Sequence, residues 1–275
     1  MLGYSEDELT RMTWSALTHP DDLNLDLAQF KRLLEGTIES YDLDKRFIHK
    51  DGSIVYTHLT ATCQLKIDGT VDYVISSLDD ITRRKQWEER VHRFAFYDSL
   101  TELPNRRLLE DRLNLTMAAS RRSARYCALM FLDLDNFKPL NDTHGHGVGD
   151  LLLIEVARRL TDCVREMDTV ARIGGDEFVV LLGELDVDKD AATEKSRVVA
   201  EKIRVSLSAR YLLNVPRHKG LVDVVVEHHC SASIGVVVFV KDEVSQSDIL
   251  RWADATMYQA KNDGRNSILF YEEKA

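Results

Sequence analysis

The chain of 275 residues is 44% hydrophobic and 30% charged, the balance of an ordinary globular protein long enough for two domains, each with its own core. Its 46 acidic residues against 36 basic ones leave a formal net charge of −10, which excludes a general nucleic-acid binder, because neutralising phosphates demands a surplus of Lys and Arg; any phosphate site is therefore a local cluster. No run approaches the roughly 20 apolar residues of a membrane span, and Met1 to Arg11 lack the basic and apolar stretches of a secretory signal, so no membrane span and a cytoplasmic location are expected.

Ser5-Glu6-Asp7-Glu8 has the form of a capping box and starts a short helix. His19-Pro20-Asp21-Asp22 opens a second helix whose apolar positions include Leu27, Phe30, Leu33 and Leu34. The period then changes. Tyr41 to His49, Ile54 to Ile67 and Val71 to Leu78 are rich in β-branched and aromatic residues and are separated by Asp51-Gly52 and Asp68-Gly69, which predicts an antiparallel meander over residues 40 to 80. From Asp79 to about Tyr97 the chain is charged and free of turn formers, with Trp87, Val91 and Phe94 on one seam of a connecting helix. The seam spans under two heptads, too short for a coiled coil on pattern alone, and packing against its own domain is the expectation. After Asp98 helix and strand alternate: Arg107 to Ser120, Cys127 to Leu134, Asp150 to Val164, a hairpin, Ala191 to Leu207, Cys230 to Phe239, Ser247 to Lys261 and Ser267 to Tyr271. Such alternation implies a sheet covered by helices. Cys127 to Leu132 is apolar throughout, the mark of a strand buried on both faces, and it delivers Asp133 to the strand's C-terminal end, where open α/β sheets bind ligands.

The hairpin carries the densest chemistry. Gly174-Gly175-Asp176-Glu177-Phe178 lies between the apolar runs Val170 to Ile173 and Phe178 to Leu182, so a tight Gly-Gly turn presents two adjacent acids. Two neighbouring carboxylates repel unless a cation or solvent screens them. With Asp133 they make a carboxylate-only set suited to a hard divalent cation, Mg²⁺ or Mn²⁺, which takes phosphate oxygens for its remaining sites; a solvated acidic turn is the plain alternative. The stretch Asp133 to Asp150 is dense in turn formers, amides and carboxylates. A carboxylate there, Asp150, accepts from the paired N–H donors of guanine, and its plain role is the N-cap of the helix before Leu151. His144 and His146 lack a matching ligand pair and do not make a zinc site. Lys261 and Arg265 stand around Asn262-Asp263-Gly264 at a helix end, as cations placed on the helix dipole or as a clamp on phosphate. The four cysteines, Cys63, Cys127, Cys163 and Cys230, are far apart and read as reduced thiols.

Taken in order, Asp98 to Arg106, Asp133 to Asp150, Gly174 to Phe178, Ser233-Ile234-Gly235 and Tyr258 to Asn266 resemble the GGDEF-domain diguanylate cyclases, and Leu2-Gly3-Tyr4-Ser5, His19-Pro20-Asp21-Asp22, Lys50-Asp51-Gly52-Ser53 and Asp79-Asp80-Ile81-Thr82 resemble the PAS domains. The resemblance implies an α+β, PAS-like antiparallel sheet with helices over residues 1–83, a connecting helix over 84–97, and an α/β, nucleotidyl-cyclase-like central sheet flanked by helices over 98–275. It implies condensation of two GTP into cyclic di-GMP with release of two pyrophosphates, one GTP held by each domain of a homodimer. By position, Asp133, Asp176 and Glu177 are implied as catalytic metal-site acids, with the Leu134 carbonyl a further ligand. Asn141 and Asp150 are implied for guanine, Lys138, Lys261 and Arg265 for phosphates, and Gly174 and Gly175 for the nucleotide's approach. Arg165-Glu166-Met167-Asp168 falls at the spacing of the family's inhibitory product site, with Arg197 as a second contact; its plain reading is a surface pair at i and i+3.

Two departures stand out. Glu102 holds a place usually occupied by glycine, and the PAS-like part begins where such a domain's first strands have already passed, so the expectation is a fragment or an incomplete pocket. The alternative functions are a catalytically silent receptor for GTP or cyclic di-GMP, disfavoured by the intact acids, and another nucleotidyl cyclase, disfavoured by Asn141 and Asp150.

Overall fold

Local capping fixes the first elements of the structure, a computed structural model that describes residues 1–67, 69–215, 224–240 and 244–272. Helix α1 (Glu6–Leu9) carries the expected capping box: Ser5 Oγ accepts from the Glu8 N–H at 3.3 Å, and the Glu8 carboxylate accepts from the Ser5 N–H at 2.9 Å. Thr13 caps α2 (Trp14–Leu17), and His19 caps α3 (Pro20–Leu34), whose first position is the pre-set proline. Strands β1 (Ser40–Ile48), β2 (Ile54–Leu65) and β3 (Val71–Asp80) pair antiparallel in that order. The expected turn at Asp51-Gly52 joins β1 to β2; of the second, at Asp68-Gly69, Asp68 lies outside the described residues. Alternate residues of β2, Val55, Thr57, Leu59 and Ala61, are buried.

Helix α3 corrects the expected apolar face. Leu33 is buried and Phe30 half-buried, but Leu27 and Leu34 are 43% and 45% exposed. The inward stripe runs Asp26, Phe30, Leu33, at helical spacing, and its first member is a buried carboxylate. Asp26 accepts a hydrogen bond from Tyr41 Oη at 2.8 Å and pairs with Lys45, whose ammonium also donates to Thr18 Oγ1 at 3.3 Å and lies over the Trp14 and Phe47 rings. Apolar periodicity cannot announce a charged pair that fills a core position.

Helix α4 (Thr82–Phe96) forms as expected, but its seam does not pack on its own domain: Trp87, Val91 and Phe94 are 62%, 63% and 73% exposed. The chain divides into two compact units, Met1–His92 and Arg93–Ala275.

In the second unit β4 (Tyr126–Asp135) is the middle strand of five, in the order β10-β9-β4-β6-β5, where β5 is Thr169–Gly174, β6 Glu177–Asp186, β9 Ser231–Phe239 and β10 Ile268–Phe270. It runs antiparallel to both neighbours, and only β10 is parallel to β9. Two apolar layers cover this sheet. Even positions of β4 pack with α7 (His146–Cys163) and α8 (Lys189–Ser208); odd positions pack with α5 (Arg106–Ser123) and α9 (Gln246–Asn262). Helix α9 sits directly on β9 at Gly235, where a β-carbon would stand 2.2 Å from the Met257 nitrogen and 2.3 Å from the Ala253 carbonyl oxygen, so only glycine admits the helix at this depth.

Helices α2 and α6 (Phe137–His144) and the hairpin of β7 (Tyr211–Val215) and β8 (Val224–His228) were not foreseen. The turn formers after Asp135 fold as α6, because Pro139 falls in a first turn, where no intrahelical N–H is lost. Consequently α7 begins at His146 behind Gly145, and Asp150 is an exposed residue of its second turn rather than an N-cap. The hairpin of β7 and β8 has five-residue strands too short for a clear alternation.

Candidate active site

Strand register brings the acids together. Asp133, at the buried end of β4, is the direct Cα partner of Glu177 at the start of β6, and the Leu134 N–H donates to the Asp176 carbonyl at 3.2 Å, tying the hairpin tip to the central strand. Gly174 pairs with Glu177, so Gly175, at φ 51°, and Asp176 form the two-residue tip.

Arg172 holds that tip from behind. Its guanidinium donates to the Gly175 carbonyl at 3.1 and 2.8 Å and to Asp98 Oδ1 at 2.9 Å. Asp98 in turn accepts from the Thr101 N–H at 2.9 Å and hydroxyl at 2.6 Å. The turn after Asp98 passes through Glu102 at φ 58°, the left-handed region that glycine enters without steric cost. Arg172 and Asp98 were missed as supports; Arg172 stands two residues before the Gly-Gly pair, close enough for its side chain to reach back over the turn.

Burial pushes the Asp133 carboxyl above the usual carboxylate range; the Lys261 ammonium, 2.7 Å from Oδ1, opposes that rise, while Asp176 and Asp135 add to it. Burial likewise pushes Glu177 up, reinforced by Asp254, Asp133 and Asp176 and opposed by Arg106. Asp254 was also missed, though it lies seven residues before Lys261 on α9, hence on the same face. Among the described residues no three His, Cys, Asp or Glu side chains stand close enough to hold a metal by themselves. The donor set, hard oxygens in mutual repulsion with an ammonium drawn onto one of them, therefore fits a Mg²⁺-like ion that takes one or two carboxylates and finds its other ligands on a substrate.

Asp135 organises the neighbouring turn. Fully buried, its carboxylate accepts from Ser231 Oγ at 2.6 Å, Ser233 Oγ at 2.8 Å and the Asn266 N–H at 3.1 Å. This fixes the bend after α9, where Arg265 and Asn266 both adopt positive φ, 62° and 44°, and where Arg265 is exposed. Asp135 shares a strand face with Asp133, a signal that alternation along β4 already carried.

Lys138 is exposed on the first turn of α6. Asn141, one turn on, has a buried Oδ1 with no hydrogen-bond partner. An orphaned buried acceptor is costly to the chain that holds it.

Arg165 and Asp168 sit together but not as a salt bridge. The Asp168 carboxylate accepts from the Arg165 N–H at 3.0 Å and the Gly183 N–H at 3.3 Å, closing a turn that leaves the Arg165 side chain exposed. Both line a cavity of about 250 Å³ with Cys163, Lys195, Val198 and Lys202. Arg197 is not among its lining residues: its guanidinium stacks 4.4 Å from the Phe270 ring centroid and pairs with Glu194.

Comparison with known proteins gives this arrangement its context. The family described as diguanylate cyclase, GGDEF domain, matches residues 95–267. The chain belongs to the GGDEF family. The PAS fold family matches residues 1–78. The bifunctional diguanylate cyclase/cyclic di-GMP phosphodiesterase MucR of Pseudomonas aeruginosa is 45% identical over 178 residues, 65% of this chain and 24% of MucR. Among solved structures, the GGDEF domain of TpbB from Pseudomonas aeruginosa is 35% identical with a TM-score of 0.56, covering 64% of this chain and 94% of that one. The coiled coil and GGDEF domain of DgcB from Caulobacter crescentus, in complex with c-di-GMP, is 28% identical with a TM-score of 0.58, covering 70% and 93%. This chain spans between about a fifth and a half of the length of the curated relatives it matches. No helix among its described residues is long and apolar enough to cross a membrane.

Proposed function

We propose that this GGDEF protein is an active diguanylate cyclase. The observation that carries the reading is the acid end of β4: Asp133 and Glu177 are register partners whose carboxyls are pushed up by burial and by neighbouring acids, with Asp176 at the adjoining tip. A site built to repel its own charges is completed by a cation and a substrate that brings phosphate.

In this reading Asp133, the Leu134 carbonyl, Asp176 and Glu177 hold Mg²⁺ or Mn²⁺, which when bound lowers the pKa of a ribose hydroxyl and offsets charge on the leaving pyrophosphate. Asn141 and Asp150 hold guanine, Asn141 through the end of its amide that does not face Gly149. Lys261 swings from Asp133 to phosphate, joined by Lys138 and Arg265, while the side-chain-free tip at Gly174 and Gly175 admits the triphosphate. Each domain of a homodimer holds one GTP; each 3′-hydroxyl attacks the α-phosphorus of the opposite nucleotide, loses its proton, and expels pyrophosphate in line, so that two GTP give one cyclic di-GMP and two pyrophosphates. Positioning and electrostatics supply most of the acceleration.

Residues 1–83 serve as a PAS sensor that biases pairing of two cyclase domains through the connecting helix 84–97, whose exposed seam at Trp87, Val91 and Phe94 supports such pairing. Cytoplasmic GTP places the reaction in the cytoplasm. The cavity at Arg165 and Asp168 is the feedback site for cyclic di-GMP, to which Arg197 contributes once it leaves Phe270.

One observation favours the receptor reading: Lys261 already neutralises part of the acid site. Incubation with GTP and Mg²⁺, followed by mass spectrometry, separates the two. Cyclic di-GMP from the wild type and not from Asp176→Asn supports the cyclase, and Arg165→Ala should then slow less as product accumulates. GTP binding without cyclic di-GMP, even after forced dimerisation, would establish the receptor.

A further inference from the structure

Three glycines open helix α7, and they differ in what they are for. Gly145 lies at φ 82°, a backbone state that L side chains rarely adopt. Gly147 has open space where a β-carbon would go, with nothing within 4 Å. Gly149 is different again: its φ is not positive, so the backbone does not require glycine, and a helix interior favours alanine at such a position. A β-carbon on Gly149 would stand 1.9 Å from Asn141 Oδ1, 2.9 Å from Asn141 Cγ and 3.2 Å from Phe137 Cζ. The missing side chain is thus a slot in α7 occupied by the amide of a residue on α6.

That amide is held by shape alone on its acceptor side. Asn141 Oδ1 is buried and has no hydrogen-bond partner. An acceptor kept from water without a partner destabilises the chain that holds it, and forgoing alanine in a helix adds to that cost. Both losses fall on the same pair of residues, and both are accounted for if seating the oxygen against Gly149 turns the other end of this half-buried amide, its NH2, towards a ligand.

We infer that Gly149 is the positioning residue for base recognition: the absence of a β-carbon at 149 seats the Asn141 amide where it meets the guanine edge. The inference rests on the guanine reading of Asn141 proposed above. The clash is with the end of a flexible side chain rather than with backbone, so a β-carbon at 149 turns the amide out of its slot and leaves the fold standing. Gly149 acts entirely through Asn141 and touches no reacting atom.

Guanosine 5′-diphosphate with Mg²⁺ is the probe, because it retains the base and has no pyrophosphate to expel, so binding is read without turnover; adenosine 5′-diphosphate is the base control. On the full chain, Gly149→Ala should weaken the guanine nucleotide about tenfold, the loss of one well-placed hydrogen bond, and erode its preference over the adenine nucleotide, with a melting temperature equal to or above that of the wild type. Gly147→Ala should bind as the wild type does. In an Asn141→Ala background, adding Gly149→Ala should cost no further affinity, because the amide it displaces is gone. Unchanged affinity in Gly149→Ala would overturn the inference, as would an equal loss in both backgrounds or a loss accompanied by a lowered melting temperature. A wild type that shows no preference for guanine would instead overturn the guanine reading of Asn141, and the inference with it.

Discussion

Two carboxylate–lysine pairs, one in each unit, show how the same chemistry is closed in one place and left open in another. Asp26 and Lys45 are 0% and 3% exposed, and every polar atom around them is spoken for: Tyr41 and Lys45 on the carboxylate, Thr18 and two aromatic rings on the ammonium. Asp133 and Lys261 also pair, but Lys261 remains 32% exposed and three further acids, Asp135, Asp176 and Glu177, bear on the same end of β4. A satisfied buried pair fixes a core; a pair outnumbered by acids at a strand end invites a cation.

The largest effect expected from this contrast is on stability in the first unit. Asp26→Ala leaves the Lys45 ammonium buried without its counter-ion and should cost about 3–5 kcal/mol, whereas Asp26→Leu together with Lys45→Met should cost little, since replacing both charges removes both desolvation penalties. Thermal unfolding of the two variants measures the difference; equal losses would break the closed-pair reading.

Next in size is the support of the acid tip. Arg172→Lys keeps a charge for Asp98 but cannot grip the Gly175 carbonyl with two N–H groups, so cyclic di-GMP formation should fall about tenfold with little change in melting temperature. A third carboxylate, Glu155, lies between the two regimes: Arg158 first, then Arg159, hold it near 2 against a usual 4.5, burial opposing. Because the folded value is depressed, its stabilisation is present above the usual carboxylate range and is lost as pH falls from about 4.5 towards about 2. Glu155→Gln should therefore cost about 1 kcal/mol at neutral pH, discounted for its exposed partner Arg158, and nothing at the bottom of that window, read by denaturant unfolding across pH. Smallest is Glu102→Gly, which relieves a left-handed glutamate and should stabilise by about 0.5–1 kcal/mol, seen as a raised melting temperature.

The acid site was legible in the sequence because its residues come in short, ordered motifs: a Gly-Gly turn must present Asp176 and Glu177, and an all-apolar strand must end at Asp133. Asp254, Arg172 and Asp98 were not, because they reach the site through tertiary placement of α9 and of the turn before α5; Lys261 was named for phosphate, but its pairing with Asp133 follows only from the placement of α9. The meander and the helix-covered sheet followed from period and turn signals. Helix α6 did not, since Pro139, Asn141 and Asp142 favour turns locally and packing of Leu140 beside α7 overrides them. Lys45–Asp26 escaped notice for a related reason: charged residues in a strand and an amphipathic helix read as surface until the fold buries both. Arg197, named on spacing alone, stacks on Phe270 and is not among the residues that line the Arg165 cavity.

The most direct test of an acid site held open for a cation is Glu177→Gln, followed for cyclic di-GMP formation and melting temperature with and without Mg²⁺. Because burial and its acidic neighbours raise the Glu177 carboxyl, its ionised form weakens the fold as pH rises through the folded value, so removing the charge at pH 8 should leave the melting temperature unchanged or raise it by about 1–2 °C. Product should vanish, and Mg²⁺ should stabilise the wild type more than the variant. Undiminished product, or a melting temperature that falls when the charge is removed, would contradict the account.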